Sequence, residues 1–267
     1  MNMRYHSACA AVFHRSTQLL FYIFFVYGGD GYTMKRYLYA VLAVALCSAF
    51  LISIPIYVNK CVSAAVSVSG KGRKTVIIDA GHGGFDGGAV AADGTLEKDI
   101  NLEVANALAD ICRVNGLSVI TIRETDDALD DDHSASLRER KRSDINNRLS
   151  VINENADAIF VSIHMNKFSS GGVHGAQIFY GAVSEESKLL AECIRKELLN
   201  VDPDNKRVVK KCDSSVYLLK KAKCPAVIAE CGFLSNFNDL NNLKNDEYRR
   251  KTAFSIYLGI LEYLNGE

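Results

Sequence analysis

The sequence lacks several features that would point directly to a common class of protein. Its 31 Lys and Arg balance its 31 Asp and Glu, so nothing suggests nucleic-acid binding, which usually shows as a basic surface. The run KRSDINNR, ending at Arg148, contains an acid and is interpreted as a solvated helix face. None of the eight cysteines forms a C-x-x-C pair, which argues against a structural zinc ribbon. No internal repeat or low-complexity segment is present.

Two common phosphate-binding loops are also missing. The Gly-rich run AGHGGFDGG does not fit G-x-x-x-x-G-K-[ST], and it does not open directly into a helix as a G-x-G-x-x-G loop would. A phosphate-cradling loop is therefore a weak interpretation of these glycines, which also allow the backbone to approach a bound group closely.

A segment without a charged residue, Tyr37 to Val58, follows the first basic pair of residues, Lys35 and Arg36. As a helix it would be about 33 Å long, enough to cross the apolar part of a bilayer. The basic pair favours a cytoplasmic N-terminus and an exported remainder. We predict a membrane anchor or signal segment at 34–60 and favour an uncleaved anchor, with a buried core helix as the alternative. A linker rich in Ser, Gly and Lys follows at 61–73.

The residues before this segment, 1–33, contain a second apolar run that is too short to span a bilayer. From Met34 onward the order is simple: a basic pair, an apolar segment, a linker and a domain, as in an exported or anchored protein. We predict that translation begins at Met34 and that 1–33 is a mis-called extension; a genuine N-terminal extension is the alternative. A peptide from within 1–33, detected by mass spectrometry of the native protein, would refute this prediction.

Strand-like and helix-like stretches alternate from residue 74 to residue 267. The predicted strands are 75–79, 117–123, 158–164, 175–180 and 226–230, and the predicted helices are 97–115, 136–155, 184–199 and 246–264. This alternation predicts an α/β fold: a single globular domain with a mostly parallel twisted sheet and helices on both faces. Functional groups are then expected at the carboxyl ends of the strands.

Four separate segments carry a histidine or a glutamate at such positions or at the start of a helix. They read TVIIDAGHGG with His82, GTLEKDINLEVA with Glu97, AIFVSIHMN with His164 and PAVIAECGFLSN with Glu230. Folding could bring the four groups to one edge of the sheet. Two imidazoles and one carboxylate form a ligand set for catalytic zinc, which leaves a fourth position open for water. A second carboxylate beside that water would act as its general base. The four segments therefore predict a metal-dependent hydrolase.

Most of these residues have an ordinary explanation when taken alone. His82 could be a hydrogen-bonded loop residue, and His164 a satisfied histidine at the end of a buried strand. Glu97 could be a carboxylate favoured by the start of a helix. Glu230 is harder to explain in this way, because a lone carboxylate that ends an apolar strand is costly unless it is paired or bound.

Taken together, IDAGHGG, LEKDINL, RLSVINENADAIFVSIHMN and AECGFLSN resemble the motifs of the zinc-dependent N-acetylmuramoyl-L-alanine amidases of bacterial cell walls. The resemblance covers about 74–263, with the four motifs in the same order. GFDGGAV, LEKDINLEVA and ECGFLSN, behind an apolar segment, further resemble the spore-germination branch, which strips peptides from muramic acid in spore cortex.

The resemblance implies that His82, Glu97 and His164 ligate Zn²⁺ and that Glu230 is the general base. The substrate would be the amide between N-acetylmuramic acid and L-alanine in peptidoglycan, cut during spore cortex maturation or germination. The expected location is extracytoplasmic, membrane-anchored or secreted, with the forespore envelope as one such place. The expected partners are peptidoglycan, the membrane through the N-terminal segment and, as a further candidate, an activator protein.

Three more residues near these motifs are weaker candidates. Arg123 and Asn166 could line the cleft, although Arg123 could equally be a surface charge at a strand end. Met165 stands where such enzymes often carry Ala, so it bears on the expected shape of the pocket.

Two other functions stay open at this point. One is a different zinc hydrolase of the cell wall, such as a peptidase, which shares the metal chemistry but not the order of the motifs. The other is a non-catalytic, membrane-anchored cell-wall binder, which would need a broken metal site.

Overall fold

The computed structural model describes residues 74–181, 184–213 and 216–266, together with Lys35, Tyr39 and Leu42. The chain divides into two compact units, 1–63 and 64–267. In the first unit the three described residues are each helical. The predicted extension, membrane segment and linker otherwise lie outside the described residues. Among the helices that are described, none has the length and apolar character needed to cross a membrane.

The described part of the second unit contains one six-stranded sheet. Its strands are β1 (Thr75–Ala80), β2 (Ser118–Thr121), β3 (Ile159–Asn166), β4 (Gln177–Tyr180), β5 (Lys210–Lys211) and β6 (Ala226–Phe233). Their spatial order is β2-β1-β3-β6-β4-β5. Strands β2, β1, β3 and β6 are parallel, whereas β4 is antiparallel to β6 and parallel to β5. The beginnings of β4 and β5 therefore share one edge with the carboxyl ends of the other four strands.

Helices connect most of these strands. They are α1 (Glu97–Val114), α2 (Leu137–Glu154), α3 (Glu185–Leu198), α4 (Tyr217–Lys221), α5 (Phe237–Lys244) and α6 (Asp246–Gly266). Helix α2 begins with a capping box, in which Ser136 and Glu139 each accept a hydrogen bond from the other's backbone N–H. Helix α1 has no such side-chain cap; instead, the N–H of Glu97 donates to the Ala89 carbonyl at 2.9 Å. This bond ties the start of α1 to the preceding loop.

Apolar side chains pack on both faces of the sheet, because successive strand residues point in opposite directions. In β1, Val76 and Ile78 belong to one buried cluster and Ile77 to another. The first cluster includes residues of α1, α3 and α6, and the second includes residues of α2 and α4. The predicted α/β fold, a mostly parallel sheet with helices on both faces, is therefore confirmed.

The predicted strands and helices match the observed ones except for a few residues at their ends. Three short elements were not predicted: β5, α4 and α5. The thiols of Cys224 and Cys231 are buried and free. Burial raises the pKa of the Cys224 thiol to about 11. Both thiols are therefore small apolar core groups.

Candidate metal centre

The first residue of the site, His82, lies in the glycine-rich loop that follows β1. It has a positive φ of 62°, and the described residues contain no other non-glycine residue with a positive φ. Its Nδ1 lies 2.9 Å from Asp86 Oδ2, and Lys141 Nζ donates to the other oxygen of Asp86, also at 2.9 Å. A carboxylate on Nδ1 fixes the ring and leaves Nε2 for a further contact. Sequence reasoning missed this role of Asp86, although Asp86 belongs to the same motif.

Glu97 is the first residue of α1 and is only 4% exposed. Its Oε1 accepts a hydrogen bond from Met165 N at 3.1 Å, and its Oε2 accepts one from Ala89 N at 2.7 Å. Oε2 also lies 3.3 Å from His82 Nε2. Burial alone would raise the pKa of Glu97, but the hydrogen bonds from His164 and His82 hold it well below its usual value. Glu97 is therefore an ionised carboxylate beside two histidines.

His164 reaches the same place from β3. Its Nδ1 lies 2.9 Å from Glu97 Oε1, and its ring meets that of His82 edge to face, with 4.9 Å between the centroids. Burial would lower the pKa of His82, but the carboxylates of Asp86 and Glu97 outweigh it and raise that pKa to about 9. Both imidazoles therefore lie within hydrogen-bond or ion-pair distance of the Glu97 carboxylate.

These three residues can supply a metal-ligand set. One donor atom from each of His82, Glu97 and His164 lies within 4.8 Å of the others. Two glycines allow this close approach: a Cβ on Gly81 would lie 2.1 Å from His164 Nε2, and a Cβ on Gly88 would lie 2.6 Å from Glu97 Oε2. Two nitrogens and one carboxylate oxygen, with one histidine held by an outer carboxylate, fit a catalytic zinc ion.

The fourth predicted residue, Glu230, lies on β6 directly opposite His164 in the strand register. Its Oε2 is buried, and no described residue donates a hydrogen bond to it. Burial raises the pKa of the Glu230 carboxyl to about 7, and the nearby histidines oppose this only in part. An unpaired buried carboxylate is costly, so the oxygen fits a site that is completed by a metal, water or substrate. The structure thus brings all four predicted residues together.

Two buried arginines hold the loop that carries His82. Arg148 donates to the carbonyls of Ala80 and His82, at 3.1 and 2.7 Å. Arg123 donates to the carbonyls of Ala80 and Gly81, at 2.8 and 3.1 Å. The prediction that Arg148 lies on a solvated helix face was wrong, since it is 3% exposed. Arg123 is not a surface charge either, because it is 5% exposed.

The charge of Arg148 is balanced within the core. It forms an ion pair with Asp79, which also accepts a hydrogen bond from Ser162 Oγ at 2.6 Å. Burial would raise the pKa of Asp79, but Arg148 keeps it below its usual value. A buried pair of this kind was not visible from the sequence, because Asp79 and Arg148 are far apart in the chain.

The two residues after His164 have different surroundings. The side chain of Met165 is buried in the apolar cluster with α1 and α6, on the face of the sheet opposite His164. It therefore does not shape the cleft beside Glu230. Asn166 is half-buried, and its carbonyl accepts a hydrogen bond from Leu234 N at 2.8 Å.

Comparison with proteins of known sequence gives a consistent result. The chain is 37% identical over 190 residues to the germination-specific N-acetylmuramoyl-L-alanine amidase of Bacillus subtilis, a match that covers 71% of this chain and 79% of that protein. It is 32% identical over 195 residues to the amidase LytC of the same organism, covering 71% of this chain and 35% of LytC.

Solved structures share the fold as well. The CwlD amidase of Clostridioides difficile, solved in complex with the GerS lipoprotein, superposes with a TM-score of 0.70 at 41% identity, covering 73% of this chain and all of that chain. The catalytic domain of CwlV, an amidase from Bacillus (Paenibacillus) polymyxa, gives a TM-score of 0.61 at 29% identity, covering 73% and 99%. The sequence model of one family matches residues 76–262, and this chain accordingly belongs to that family, the N-acetylmuramoyl-L-alanine amidases.

Proposed function

We propose that this amidase uses a zinc ion held by His82, Glu97 and His164, with Glu230 as its general base. The observation that carries the proposal is the juxtaposition of a three-donor cluster with a buried carboxylate oxygen that has no partner among the described residues. The reaction is hydrolysis of the amide between N-acetylmuramic acid and L-alanine in peptidoglycan.

The chemistry divides between the metal and the protein. Zinc would supply Lewis-acid polarisation of the amide carbonyl and acidification of water. Glu230 accepts the proton of the attacking water and passes it to the amine of L-alanine as the C–N bond breaks. Asp86 keeps the imidazole of His82 in one orientation throughout.

The cellular setting is inferred from the relatives. The germination-specific homologue supports a role in spore cortex, and cell-wall amidases act outside the cytoplasm. An anchor at 34–60 would hold the catalytic domain at the outer side of a membrane. The complex of the CwlD amidase with the GerS lipoprotein supports a lipoprotein as a partner of this chain.

Digestion of purified peptidoglycan tests the reaction. The wild-type protein is expected to leave muramic acid with a free lactyl group and to release peptides that begin with L-alanine. Cuts within the peptides would favour a peptidase instead, and binding without new termini would favour a non-catalytic binder. The Glu230→Gln variant keeps the shape of the side chain and should lose about 10²–10⁴-fold in turnover. Near-normal turnover in this variant would remove Glu230 from the mechanism.

A further inference from the structure

A line of polar groups leads away from the metal cluster along one edge of the sheet. Glu230 on β6 has His164 on β3 as one register partner and Gln177 on β4 as the other. Directly opposed residues of neighbouring strands point to the same face, so these three side chains form a row. Gln177 is 2% exposed, and its amide contacts the segment just before β5. Its Nε2 donates to the Val208 carbonyl at 2.5 Å.

At the end of this row lies Arg207. Its Nε donates to the His174 carbonyl at 2.8 Å, and its Nη1 lies 3.4 Å from Gln177 Oε1. The guanidinium also stacks on Phe233, 4.6 Å from the ring centroid. The group is therefore held in one orientation by a carbonyl, an amide and an aromatic ring, and all three come from the strands or loops at this edge.

The charge of Arg207 is not neutralised by the described part of the chain, in which no carboxylate lies within ion-pair distance of it. Two of its five N–H donors are used by His174 and Gln177, which leaves the others for a ligand. Arg207 borders a hollow of about 370 Å³ between the loops 172–174 and 204–207. Asp204 and Lys206 on the rim are both exposed and of opposite sign.

We propose that Arg207 is a binding subsite for a carboxylate of the stem peptide, and that it selects peptides with a free acid near the scissile amide. A stacked, half-buried guanidinium binds a carboxylate through two parallel hydrogen bonds. The guanidinium contacts Gln177 on β4, which is two strand positions from the predicted ligand His164 on β3, a separation of about 10 Å. An extended peptide covers this distance in about three residues. The proposed ligand is therefore an acidic residue at the second or third position of the peptide. The inference rests on the proposed function of Glu230 and the metal cluster.

The test compares muramyl tripeptides that differ in one group, a free or an amidated carboxyl at residue two or at residue three. The full-length protein is assayed for release of the peptide, with Arg207→Gln, Arg207→Lys and, as a matched control, Arg250→Gln. Arg250 lies on α6, and its side chain is 72% exposed. In Arg207→Gln we expect kcat/KM for the free acid to fall about 10- to 100-fold, while kcat/KM for the amidated substrate stays unchanged. Arg207→Lys should recover only part of the loss, because a point charge lacks the paired geometry.

Equal losses of kcat/KM on both substrates, or no loss on either, would overturn the subsite. A second measurement separates this result from failure of the amidase mechanism. Calorimetry measures the affinity of the Glu230→Gln variant for the same tripeptides, with and without Arg207→Gln, in the absence of turnover. Preference for the free acid that depends on Arg207 supports the proposal even where no cleavage occurs. Equal affinity for the acid and the amide contradicts it.

Discussion

Gly81 lies against the imidazole of His164, and only a residue without a side chain fits there. A Cβ at this position would lie 2.1 Å from Nε2 and 2.2 Å from Cε1 of the ring. We predict that Gly81→Ala displaces His164 and weakens zinc binding by about 10- to 100-fold. This is the usual effect of disturbing the residues that support a metal ligand. Competition with a chromogenic chelator measures the affinity.

Gly87→Ala is the matched control for this change. A Cβ at Gly87 would meet only the Leu96 side chain, at 3.6 Å, which is an ordinary contact distance. The control should therefore keep the zinc affinity of the wild-type protein. Equal zinc affinity in the two alanine variants would show that His164 tolerates the displacement or is not a ligand.

Glu230 makes the stability of the metal-free protein depend on pH. Its pKa is about 7 in the folded protein against 4.5 for the ordinary group, so the folded state holds a proton that the unfolded state has released. Stability from this group is therefore lost as the pH rises from about 4.5 to 7. The full effect is about 3 kcal/mol, since one pKa unit corresponds to about 1.4 kcal/mol.

Glu230→Gln removes this titration, so the metal-free variant should be more stable than the metal-free wild type above pH 7 and should lack the loss between pH 4.5 and 7. Urea unfolding at a series of pH values measures both curves. Parallel curves for the two proteins would mean that Glu230 is ionised and solvated in the absence of metal.

At the scale of secondary-structure elements, α2 is joined to the site by Arg148, which pairs with Asp79 at the end of β1. Arg148→Met would leave Asp79 buried without its counter-ion, a change that typically costs about 3–5 kcal/mol. Denaturant unfolding should show this loss for Arg148→Met but not for Arg142→Met, because Arg142 is exposed on the same helix. The double change Asp79→Asn with Arg148→Met should recover part of the stability. Without such recovery, the loss would be due to packing or to the missing hydrogen bonds to the Ala80 and His82 carbonyls, and not to the unpaired charge of Asp79.

The elements themselves differ in how far the sequence predicts them. Long apolar or periodic stretches of the sequence predicted the five longer strands and four of the helices, because burial on one face leaves a clear pattern of apolar residues. Strand β5 is only Lys210–Lys211, both exposed, and it pairs with β4 without an apolar pattern of its own. Helices α4 and α5 have five and eight residues, too few for a clear helical period. Tertiary contacts therefore decide these three elements.

The residues of the site also differ in how far the sequence predicts them. The four principal residues could be found because each lies in a distinctive motif at a strand end or a helix start. The role of Arg148 could not, because a charged residue in a polar stretch normally lies in solvent. Arg123 was predicted only as a cleft residue or a surface charge, without its contacts. Their roles depend on carbonyls of the His82 loop, which become neighbours only after β1, β2, β3 and α2 have assembled. Arg207 lies in a loop between elements and carried no signal in the sequence.

At the scale of the whole molecule, zinc should couple the separate parts of the domain. Its proposed ligands come from the loop after β1, the start of α1 and the end of β3, three regions that meet only in the folded protein. A ligand that binds only the folded state stabilises it by about 2.7 kcal/mol when its free concentration is 100 times its dissociation constant. For a domain of this size, such a gain raises the melting temperature by about 5–10 °C.

We therefore predict one zinc ion per chain, a melting temperature that falls by about this amount after chelation, and recovery when zinc is added back. Metal analysis and thermal unfolding of the same samples measure both quantities. The double variant His82→Ala, His164→Ala lacks both proposed nitrogen ligands, so its melting temperature should not respond to zinc. Stoichiometric zinc in this double variant would place the metal elsewhere. Because Glu230 is not a ligand in this scheme, Glu230→Gln should still bind zinc and gain thermal stability from it, whereas loss of zinc would make Glu230 a fourth ligand.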